Sequence, residues 1–184
     1  MKMVSLRDVD AADRERIRAW RNLPEVRANM FTDHEISEDE HARWFAGLHD
    51  DPRRRYWVVC CDGRDVGLAH LYDIDRHHGR CSWGYYLASP SDRGRGIGSV
   101  VWYLLLRCAF DELGLRKVYG EVLAVNASVL RMHERFGFLR EGFLRHHVVK
   151  GGVPHDVVVF GLLADDWRAI RPDIERMLRG RNLL

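Results

Sequence analysis

The sequence predicts an α/β protein built on one mixed sheet. Its 184 residues are 46% hydrophobic and 30% charged, as in ordinary globular chains, and a chain of this length can bury a full core. The hydrophobic patterns follow the order β-α-α-β-β-β-α-β-α-β-β, with a further helix at the end, and not the regular alternation of a doubly wound fold. No repeat, low-complexity linker or proline-rich boundary interrupts residues 1–184, so we expect a single domain.

The first quarter of the chain contains one predicted strand and two predicted helices. Residues 3–9 alternate enough to predict a short strand. Residues 11–23 predict a helix that stops before Pro24, because the residue preceding a proline is disfavoured in helical conformation. Ser37 and Glu40 have the spacing of a capping box, so the second helix begins at about Ser37.

Three strands are predicted next. Residues 55–61 and 65–75 are rich in β-forming side chains and are separated by Asp-Gly-Arg, which predicts a hairpin. The turn at 76–79 leads into a third strand at 80–88.

The second half begins with a stretch rich in glycine and arginine. It leads into a long helix that ends at about Leu113, with Gly114 as its stop, and residues 117–124 then predict a strand. Asn126 is the expected N-cap of the next helix, and Gly137 is its stop. The remaining elements are two strands, 138–150 and 153–164, joined by a Gly-Gly turn, and a closing helix, 165–178, bent or broken at Pro172.

Composition and charge exclude several classes of function. The formal net charge is +2, and the pI near 8.4 is too weakly basic to indicate nucleic-acid binding. The four cysteines include no C-x-x-C pair, which predicts reduced thiols and neither a disulfide framework nor a metal site. The N-terminus turns charged at once, and the apolar run 99–106 is far shorter than the roughly 20 residues that span a membrane. We therefore expect a soluble, cytoplasmic protein without a membrane partner.

The stretch from Arg93 to Gly98 has the composition of an anion-binding turn. A predicted strand precedes it and a helix follows it, so the N–H groups of the first helical turn lack partners and carry partial positive charge. Gly94, Gly96 and Gly98 allow a phosphate to reach these N–H groups without meeting a Cβ atom, and Arg93 and Arg95 add positive charge.

The spacing in this turn excludes two common phosphate-binding motifs. The lysine of the P-loop is absent, and the glycines are spaced G-x-G-x-G and not G-x-G-x-x-G as in the dinucleotide fingerprint. The pattern that remains is R-x-x-G-x-G, formed by Arg93, Gly96 and Gly98. A glycine-rich surface loop and a fragment of a nucleic-acid-binding arm are the alternatives.

This pattern resembles the signature loop of the GNAT N-acetyltransferases, [Q/R]-x-x-G-x-[G/A], which binds the pyrophosphate of acetyl-CoA. Residues 126–138 are similar to a second motif of that family, N-x-x-[AS]-x-x-x-Y-x-x-x-GF, with Asn126, Gly137 and Phe138 in register. The resemblance implies a mostly antiparallel sheet of about seven strands that is splayed at the acetyl-CoA site and flanked by helices. It also implies acetyl-CoA as co-substrate, without a metal. The implied cofactor-binding residues are Tyr85, Leu87, Arg93, Gly94, Arg95, Gly96, Ile97, Gly98, Ser99 and Asn126.

The N-terminal half resembles one branch of this family, the PseH-type enzymes, which acetylate the 4-amino group of a UDP-linked amino sugar. The similar residues lie in the segment 21–31 and in the helix after Ser37. Flat side chains pack on bases and arginine pairs with phosphate as a fork. The resemblance therefore implies that Met30, Phe31 and Trp44 lie against the uracil, and that Arg21 and His41 face the diphosphate. Ordinary core packing is the alternative for Met30 and Trp44.

Acetyl transfer to an amine requires a base for the ammonium, an acid for the departing thiolate and a donor for the oxyanion. Glu121 is the candidate base, acting through water, and an ion pair is its alternative role. Members of the family often pair such a glutamate with a tyrosine, and here the residue at that spacing (133 − 121 = 12) is His133. The acid therefore stays open between His133, Tyr86 and solvent. The resemblance places the oxyanion donor in the backbone near Tyr85, Tyr86 and Leu87.

The sequence leaves the identity of the acceptor less constrained than the fold or the co-substrate. The combination of Arg21 and His41 with Met30 and Phe31 favours a UDP-amino sugar, with His70 on a strand that could border the acceptor site. Other branches acetylate polyamines, aminoglycosides or protein N-termini, and a CoA-binding module without catalysis is the non-enzymatic alternative. The even balance of 29 basic and 27 acidic residues argues against a nucleic-acid partner. The sequence does not decide between a monomer and a homodimer.

Overall fold

Seven strands form one sheet in the computed structural model, which describes residues 3–48 and 50–184. The strands are β1 (Val4–Asp8), β2 (Arg55–Cys61), β3 (Arg64–Asp75), β4 (Arg80–Leu87), β5 (Lys117–Leu123), β6 (Leu139–Lys150) and β7 (Val153–Leu163). Their order across the sheet is β1-β2-β3-β4-β5-β7-β6. All neighbouring strands are antiparallel, except that β4 and β5 are parallel. The predicted mixed, mostly antiparallel sheet is confirmed.

Helices flank this sheet, and every predicted helix is present. The α-helices of the described residues are α1 (Arg14–Arg21), α2 (Pro24–Arg27), α3 (Glu38–Ala46), α4 (Ile97–Arg107), α5 (Ala127–Arg135) and α6 (Ala164–Gly180). The short helix α2 was not predicted. Pro24 begins it, because proline fits the first turn of a helix, where its missing N–H is not needed.

Two helices show details that the prediction did not include, although the helical stretch that begins with α4 ends beside Leu113 as predicted. The long helix α4 continues after Arg107 as a π-helical turn at Cys108–Glu112. The closing helix α6 is not broken at Pro172. Both Pro172 and Arg168, whose carbonyl loses its partner, are exposed, so water can bond to that carbonyl.

The two faces of the sheet are covered by different helices. Helices α1, α2 and α3 lie on what we call the front face, where Ile17 and Val26 join a cluster with Val58 and Leu68 of the strands. Helices α4, α5 and α6 contribute to the larger core on the opposite, back face. Successive side chains of a strand point to opposite faces, so Tyr85 packs on the back-face core whereas Tyr86 belongs to the front-face cluster.

Strands β4 and β5 separate part-way along their length. Their pairing ends at Ser82 and Tyr119. Beyond this point β4 stays paired with β3 up to Leu87, and β5 stays paired with β7 up to Leu123. A V-shaped opening therefore lies between the two strand ends, and the predicted splay is confirmed.

A buried carboxylate holds α1 against the sheet. The Asp13 side chain is 1% exposed and accepts hydrogen bonds from Arg7 of β1, at 2.7 Å, and from Arg16 of α1. The same two arginines contact Asp65 of β3 at 2.7 and 2.8 Å. The hydrogen bonds from Arg7, with a smaller contribution from Arg16, hold the pKa of Asp13 well below its usual range. This network fixes the position of α1 and hence of its last residue, Arg21.

We expect Asp13→Ala to lower the free energy of unfolding by about 2 kcal/mol, because it removes the buried one of the two carboxylates that Arg7 and Arg16 share and leaves them only the more exposed Asp65. Urea unfolding at pH 7 measures this loss. Asp173→Ala is the control, since it removes an exposed carboxylate paired with Arg176, and it should cost less than about 1 kcal/mol. Equal losses in the two variants would contradict the role of Asp13.

Candidate active site

The glycine-rich turn forms a backbone cradle at the start of α4. Gly96 precedes the helix with a φ of 87°, a left-handed conformation that residues with a Cβ atom rarely adopt. Because α4 begins at Ile97, the N–H groups of Ile97 and Gly98 have no acceptor further back in the helix. They lie at the positive end of the helix dipole. This geometry fits the expected phosphate group.

The two arginines of the turn have different partners. Arg95 forms an ion pair at 3.1 Å with the buried carboxylate of Asp92, which Arg64 of β3 also approaches at 3.5 Å. Arg95 therefore anchors the turn to the sheet in addition to contributing charge. Arg93 is exposed and donates a hydrogen bond to the backbone oxygen of Glu25 at 3.3 Å, which connects the turn to α2.

Ser99 and Asn126 have structural roles beside the cradle. The Ser99 hydroxyl is buried and donates to Met132 Sδ at 3.7 Å, so the geometry does not support cofactor binding by this side chain. Asn126 caps α5, since its Oδ1 accepts from the N–H of Val129 at 3.3 Å and from the hydroxyl of Ser128 at 3.1 Å. The Nδ2 group of Asn126 is the part of the side chain that can donate to a cofactor carbonyl.

Two aromatic residues of β4 line the back face between the cradle and the point of strand separation. The Tyr85 hydroxyl lies beside Gly98, where an added Cβ atom would come within 2.5 Å of it, and burial raises the pKa of Tyr85 to about 12. Trp83 stacks with Tyr85 at a centroid distance of 6.3 Å and lies over Gly120 of β5. The Leu87 side chain is buried in the core, so a role toward the cofactor would rest on its backbone.

His133 lies in an aromatic cage on the back face and is 0% exposed. Its Nδ1 is 2.9 Å from the backbone oxygen of Val129. A carbonyl can only accept a hydrogen bond, so Nδ1 carries the proton of the neutral ring and Nε2 carries a lone pair. Four rings surround it at centroid distances of 4.4 to 4.9 Å: Trp83, Trp102, Phe138 and Phe160.

This cage also sets the charge of the imidazole. Burial lowers the pKa of His133 to about 4, so the ring is neutral at neutral pH. A neutral ring protonated at Nδ1 has no proton to give at Nε2, the nitrogen without a hydrogen-bond partner among the described residues. The expectation that His133 protonates the thiolate as an imidazolium is therefore not supported.

On the front face, Arg21 and Tyr86 lie close together. The buried Nη1 of Arg21 and the buried hydroxyl of Tyr86 have no hydrogen-bond partner among the described residues. Burial lowers the pKa of Arg21 and raises that of Tyr86 above its usual range, so Tyr86 is a weak proton donor. The Glu40 carboxylate favours the charged form of Arg21 from longer range, and it is itself hydrogen-bonded to His34 at 3.0 Å.

A row of aromatic side chains crosses the front face from α3 to β3. Trp44 contacts Tyr56 edge-on at 5.3 Å, and Tyr56 stacks with His70 at 5.0 Å. His70 covers Gly84 of β4, where an added Cβ atom would come within 2.6 Å of its Nε2. Burial lowers the pKa of His70 to about 4, so this row ends in a neutral ring beside the strand opening.

His41 does not reach this site. It is 4% exposed and packs against Trp44 and Phe45 at centroid distances of 5.0 and 5.9 Å. Burial lowers its pKa, and both ring nitrogens lack partners among the described residues. The expected contact of His41 with a diphosphate is therefore not supported, because the ring is enclosed in the front-face packing.

Met30 and Phe31 lie in the segment that follows α2. Met30 is half-buried against the front-face cluster, and Phe31 is 38% exposed. Lys150, at the end of β6, holds this segment in place. Its Nζ donates to the backbone oxygens of residues 27, 28 and 30 at 2.5 to 3.1 Å. The segment therefore forms one side of the front-face site.

Glu121 lies on β5 beyond the point of strand separation. Val118 and Val122 belong to the back-face core, so alternation places Glu121 on the front face, where it is exposed. Tyr72 of β3 is within its electrostatic reach, since burial raises the pKa of Tyr72 and the charges of Asp73 and Glu121 raise it further. In the described part of the chain, Glu121 forms no ion pair with a lysine or arginine, so its alternative role is not observed.

The described residues fit acetyl-CoA as co-substrate. The cradle suits its pyrophosphate, and the opening exposes the edge of β4 that β5 leaves unpaired. Acetyl-CoA, when bound, supplies an activated acyl group.

The four cysteines are free, and no three His, Cys, Asp or Glu side chains among residues 3–48 and 50–184 are grouped as a metal site. The helices described here include none that is long and apolar enough to cross a membrane.

A sheet whose parallel pair splays beside an anion-binding turn defines a class of acyltransferases. A family model described as "Acetyltransferase (GNAT) domain" matches residues 4–139. The chain belongs to this family, and it is an acetyl-CoA-dependent N-acetyltransferase.

The chain is similar to several acetyltransferases, one of which is named for spermidine. It is 31% identical over 132 residues to the SPbeta prophage-derived uncharacterized N-acetyltransferase YokL of Bacillus subtilis, covering 71% of this chain and 73% of YokL. It is 25% identical over 138 residues to acetyltransferase PseH of Campylobacter jejuni, covering 75% and 84%. It is 32% identical over 105 residues to spermidine N(1)-acetyltransferase of Escherichia coli, covering 57% and 55%.

The fold has a close match among solved structures. The crystal structure of spermidine N-acetyltransferase from Vibrio cholerae in complex with CoA and spermine superimposes with a TM-score of 0.83, covering 90% of this chain and 98% of that one. The sequence identity of 24% makes this a statement about the fold alone.

Sequence reasoning missed three residues that shape the site. Trp83 stands two positions before Tyr85 and shares its face, so strand alternation could have found it. Tyr56 could have been paired with His70 only with the register of β2 and β3 in hand. Lys150 gave no local signal, because its partners lie 120 or more positions away.

We expect the neutral, buried His133 to make the fold sensitive to acid. Between pH 6.5 and about 4 the unfolded chain binds a proton at this site that the folded chain does not, so stability falls as the pH falls, by up to about 3 kcal/mol. His133→Phe should reduce the loss of unfolding free energy between pH 7 and pH 4.5 by about 2 kcal/mol, measured by urea unfolding. The same exchange at exposed His77 is the control. An unchanged loss in His133→Phe would show that the folded protein protonates His133.

Proposed function

We propose that the protein transfers the acetyl group of acetyl-CoA to the amine of an acceptor that also carries phosphate, as in a UDP-linked amino sugar. The distribution of charge on the front face is the observation that carries this proposal. Cations that form no ion pair within the described chain lie at one end of the site, around Arg21, where the carboxylates of Glu40 and Asp33 act on Arg21 and Lys150 only at longer range. An exposed carboxylate, Glu121, lies beside the strand opening.

The cationic end is formed by Arg21, Arg27 and Lys150. The charge of Arg21 interacts with that of Arg27 and with that of Lys150. The Nε of Arg27 is buried without a partner, and the donors of Lys150 are occupied by backbone oxygens. Within the described chain none of the three forms an ion pair. A phosphate would neutralise this end, and a guanidinium can bind it as a fork.

The aromatic side chains support the same acceptor class. Trp44, Tyr56 and exposed Phe31 offer flat surfaces on which a base can pack. Met30, which packs against the front-face cluster, lies one position before Phe31 and adds apolar surface there.

A polyamine is the second candidate, and the 32% identity to the spermidine N(1)-acetyltransferase of Escherichia coli favours it. The charge on the front face argues against it. A polyamine carries positive charge along its length, so an ammonium placed near Arg21 and Lys150 would meet like charge at short range. The proposal therefore favours the anionic acceptor.

Within this proposal, each group has one task. Glu121 accepts the proton of the acceptor ammonium through a water molecule, so that the amine nitrogen has a free lone pair. Backbone N–H groups of β4 near Tyr85, Tyr86 and Leu87 donate to the oxygen that gains negative charge. The thiolate takes its proton from solvent, since His133 has none to give and Tyr86 is a weak donor.

A panel of amines tests the acceptor class. The full chain is incubated with acetyl-CoA and a UDP-4-amino-4,6-dideoxy sugar, spermidine, an aminoglycoside or an N-terminal peptide, and release of free thiol is followed. We expect release with the sugar nucleotide. Release with spermidine and not with the sugar nucleotide would overturn the anionic acceptor while leaving the enzyme class intact.

Arg21→Met should raise the KM for the sugar nucleotide about 10- to 100-fold, because it removes a charge-assisted hydrogen bond to phosphate. The KM for acetyl-CoA should stay within about threefold, since Arg21 lies on the front face. Arg14→Met, on the exposed side of α1, is the matched control and should leave both constants unchanged. A KM for the sugar nucleotide that Arg21→Met does not alter would remove this residue from the site.

Glu121→Gln should lower kcat/KM at pH 7 by about 100-fold or more, because the ammonium then loses its proton without a positioned base. The deficit should shrink at about pH 9 to 10, where an amine deprotonates without help. The control is Glu141→Gln, which alters a carboxylate paired with Lys117. A deficit that is constant across the pH range would indicate a structural role for Glu121.

A further inference from the structure

Trp83 occupies the narrow end of the opening between β4 and β5. The pairing of these strands ends at Ser82 and Tyr119, so Trp83 and Gly120 are the first residues beyond it. A Cβ atom on Gly120 would come within 2.9 Å of Trp83 Nε1. The indole therefore crosses from β4 to β5, and it does so in the space that the glycine leaves free.

The indole is held firmly in this position. Trp102, which is 1% exposed, contacts it at a centroid distance of 3.9 Å, and His133, which is 0% exposed, contacts it at 4.9 Å. Interiors of this kind are close-packed, so the ring cannot withdraw into the core without displacing its neighbours. The narrow end of the opening is therefore closed on the back face by a rigid wall.

The route from the cradle leads to this wall. Tyr85 links them, since its hydroxyl lies beside Gly98 and its ring stacks with Trp83. From Leu87 to Trp83 the strand advances four residues, or about 13 Å. An extended pantetheine arm that starts at the cradle and follows β4 can span this distance, which places the acyl end of the co-substrate at the indole.

We infer that Trp83 is the residue that limits the transferred group to acetyl. This inference rests on acyl transfer from CoA, which is part of the proposed function, and it does not depend on the acceptor. Each CH₂ added to the acyl group must enter space that the indole fills, and overpacking a rigid site is unfavourable. A longer alkyl chain also offers no hydrogen bond to Trp83 Nε1 or His133 Nε2, which are buried without partners among the described residues.

Binding of acyl-CoA thioesters to the full chain tests this directly. Dissociation constants are measured by calorimetry for CoA, acetyl-CoA, propionyl-CoA and butyryl-CoA. In the unaltered protein we expect butyryl-CoA to bind at least about tenfold more weakly than acetyl-CoA. In Trp83→Ala the two should bind within about threefold of each other, with the affinity for CoA itself unchanged.

Two further variants keep the test decisive if Trp83→Ala does not fold. Trp83→Phe retains an aromatic ring in the cluster and should admit propionyl-CoA. Gly120→Ala adds a methyl group against the indole and should weaken acetyl-CoA relative to CoA. Trp57→Phe, on β2 away from the opening, is the matched control and should leave all ratios unchanged.

Two results would overturn the inference. One is equal binding of butyryl-CoA and acetyl-CoA by the unaltered protein. The other is a Trp83→Phe variant that binds CoA normally but has the same ratio of dissociation constants for propionyl-CoA and acetyl-CoA as the unaltered protein. Because the measurement needs no acceptor, a wrong acceptor class would leave it unaffected, whereas failure to bind any CoA thioester would overturn the use of acetyl-CoA itself.

Discussion

The separation of β4 from β5 after Ser82 and Tyr119 is the constraint on which the rest of the site depends. A strand edge inside a protein carries N–H and C=O groups that need partners, so an opening in the middle of a sheet is costly unless a ligand or water fills it. Here the opening is maintained from both ends. Trp83 lies across Gly120 where the strands part, and the turn before α4, anchored through Asp92, lies where β4 leaves the sheet.

The opening also connects two faces that differ in chemistry. The back face offers rings packed around His133 and, near it, the cradle of backbone N–H groups. The front face offers a guanidinium at Arg21, a carboxylate at Glu121 and a row of half-buried rings. Two substrates that approach from opposite sides would therefore meet in the gap between the strands, and neither would have to displace the other's binding groups.

Most of the fold could be predicted because its signals are local. The strands follow from alternation and the helix ends from glycines such as Gly114 and Gly137, which take positive φ values in the structure. Helix α2 was missed because Pro24 was interpreted as the end of one helix, whereas it is the start of another. The same residue supports both interpretations, and only the packing of the chain around it decides.

The site was harder to predict, because function there depends on burial as much as on residue type. His41 and His133 were selected for the chemistry of imidazole, but each is enclosed by rings from other elements, which suppresses that chemistry. The glycine-rich turn was selected for its backbone, and the structure places it directly before α4 with positive φ values at Gly94 and Gly96. The roles that depended on distant packing could not be obtained from spacing.

The position of Lys150 has a consequence for how the protein assembles. Its hydrogen bonds close the end of α2 across separations of 120 to 123 residues. Contacts of such long range form late, because the chain must first lose the entropy of closing the intervening loop. During synthesis the acceptor side therefore stays unfinished until β6 leaves the ribosome, long after α2 itself has been made. The segment that forms one side of the acceptor site is therefore among the first parts of the chain to be made and among the last to reach its final position.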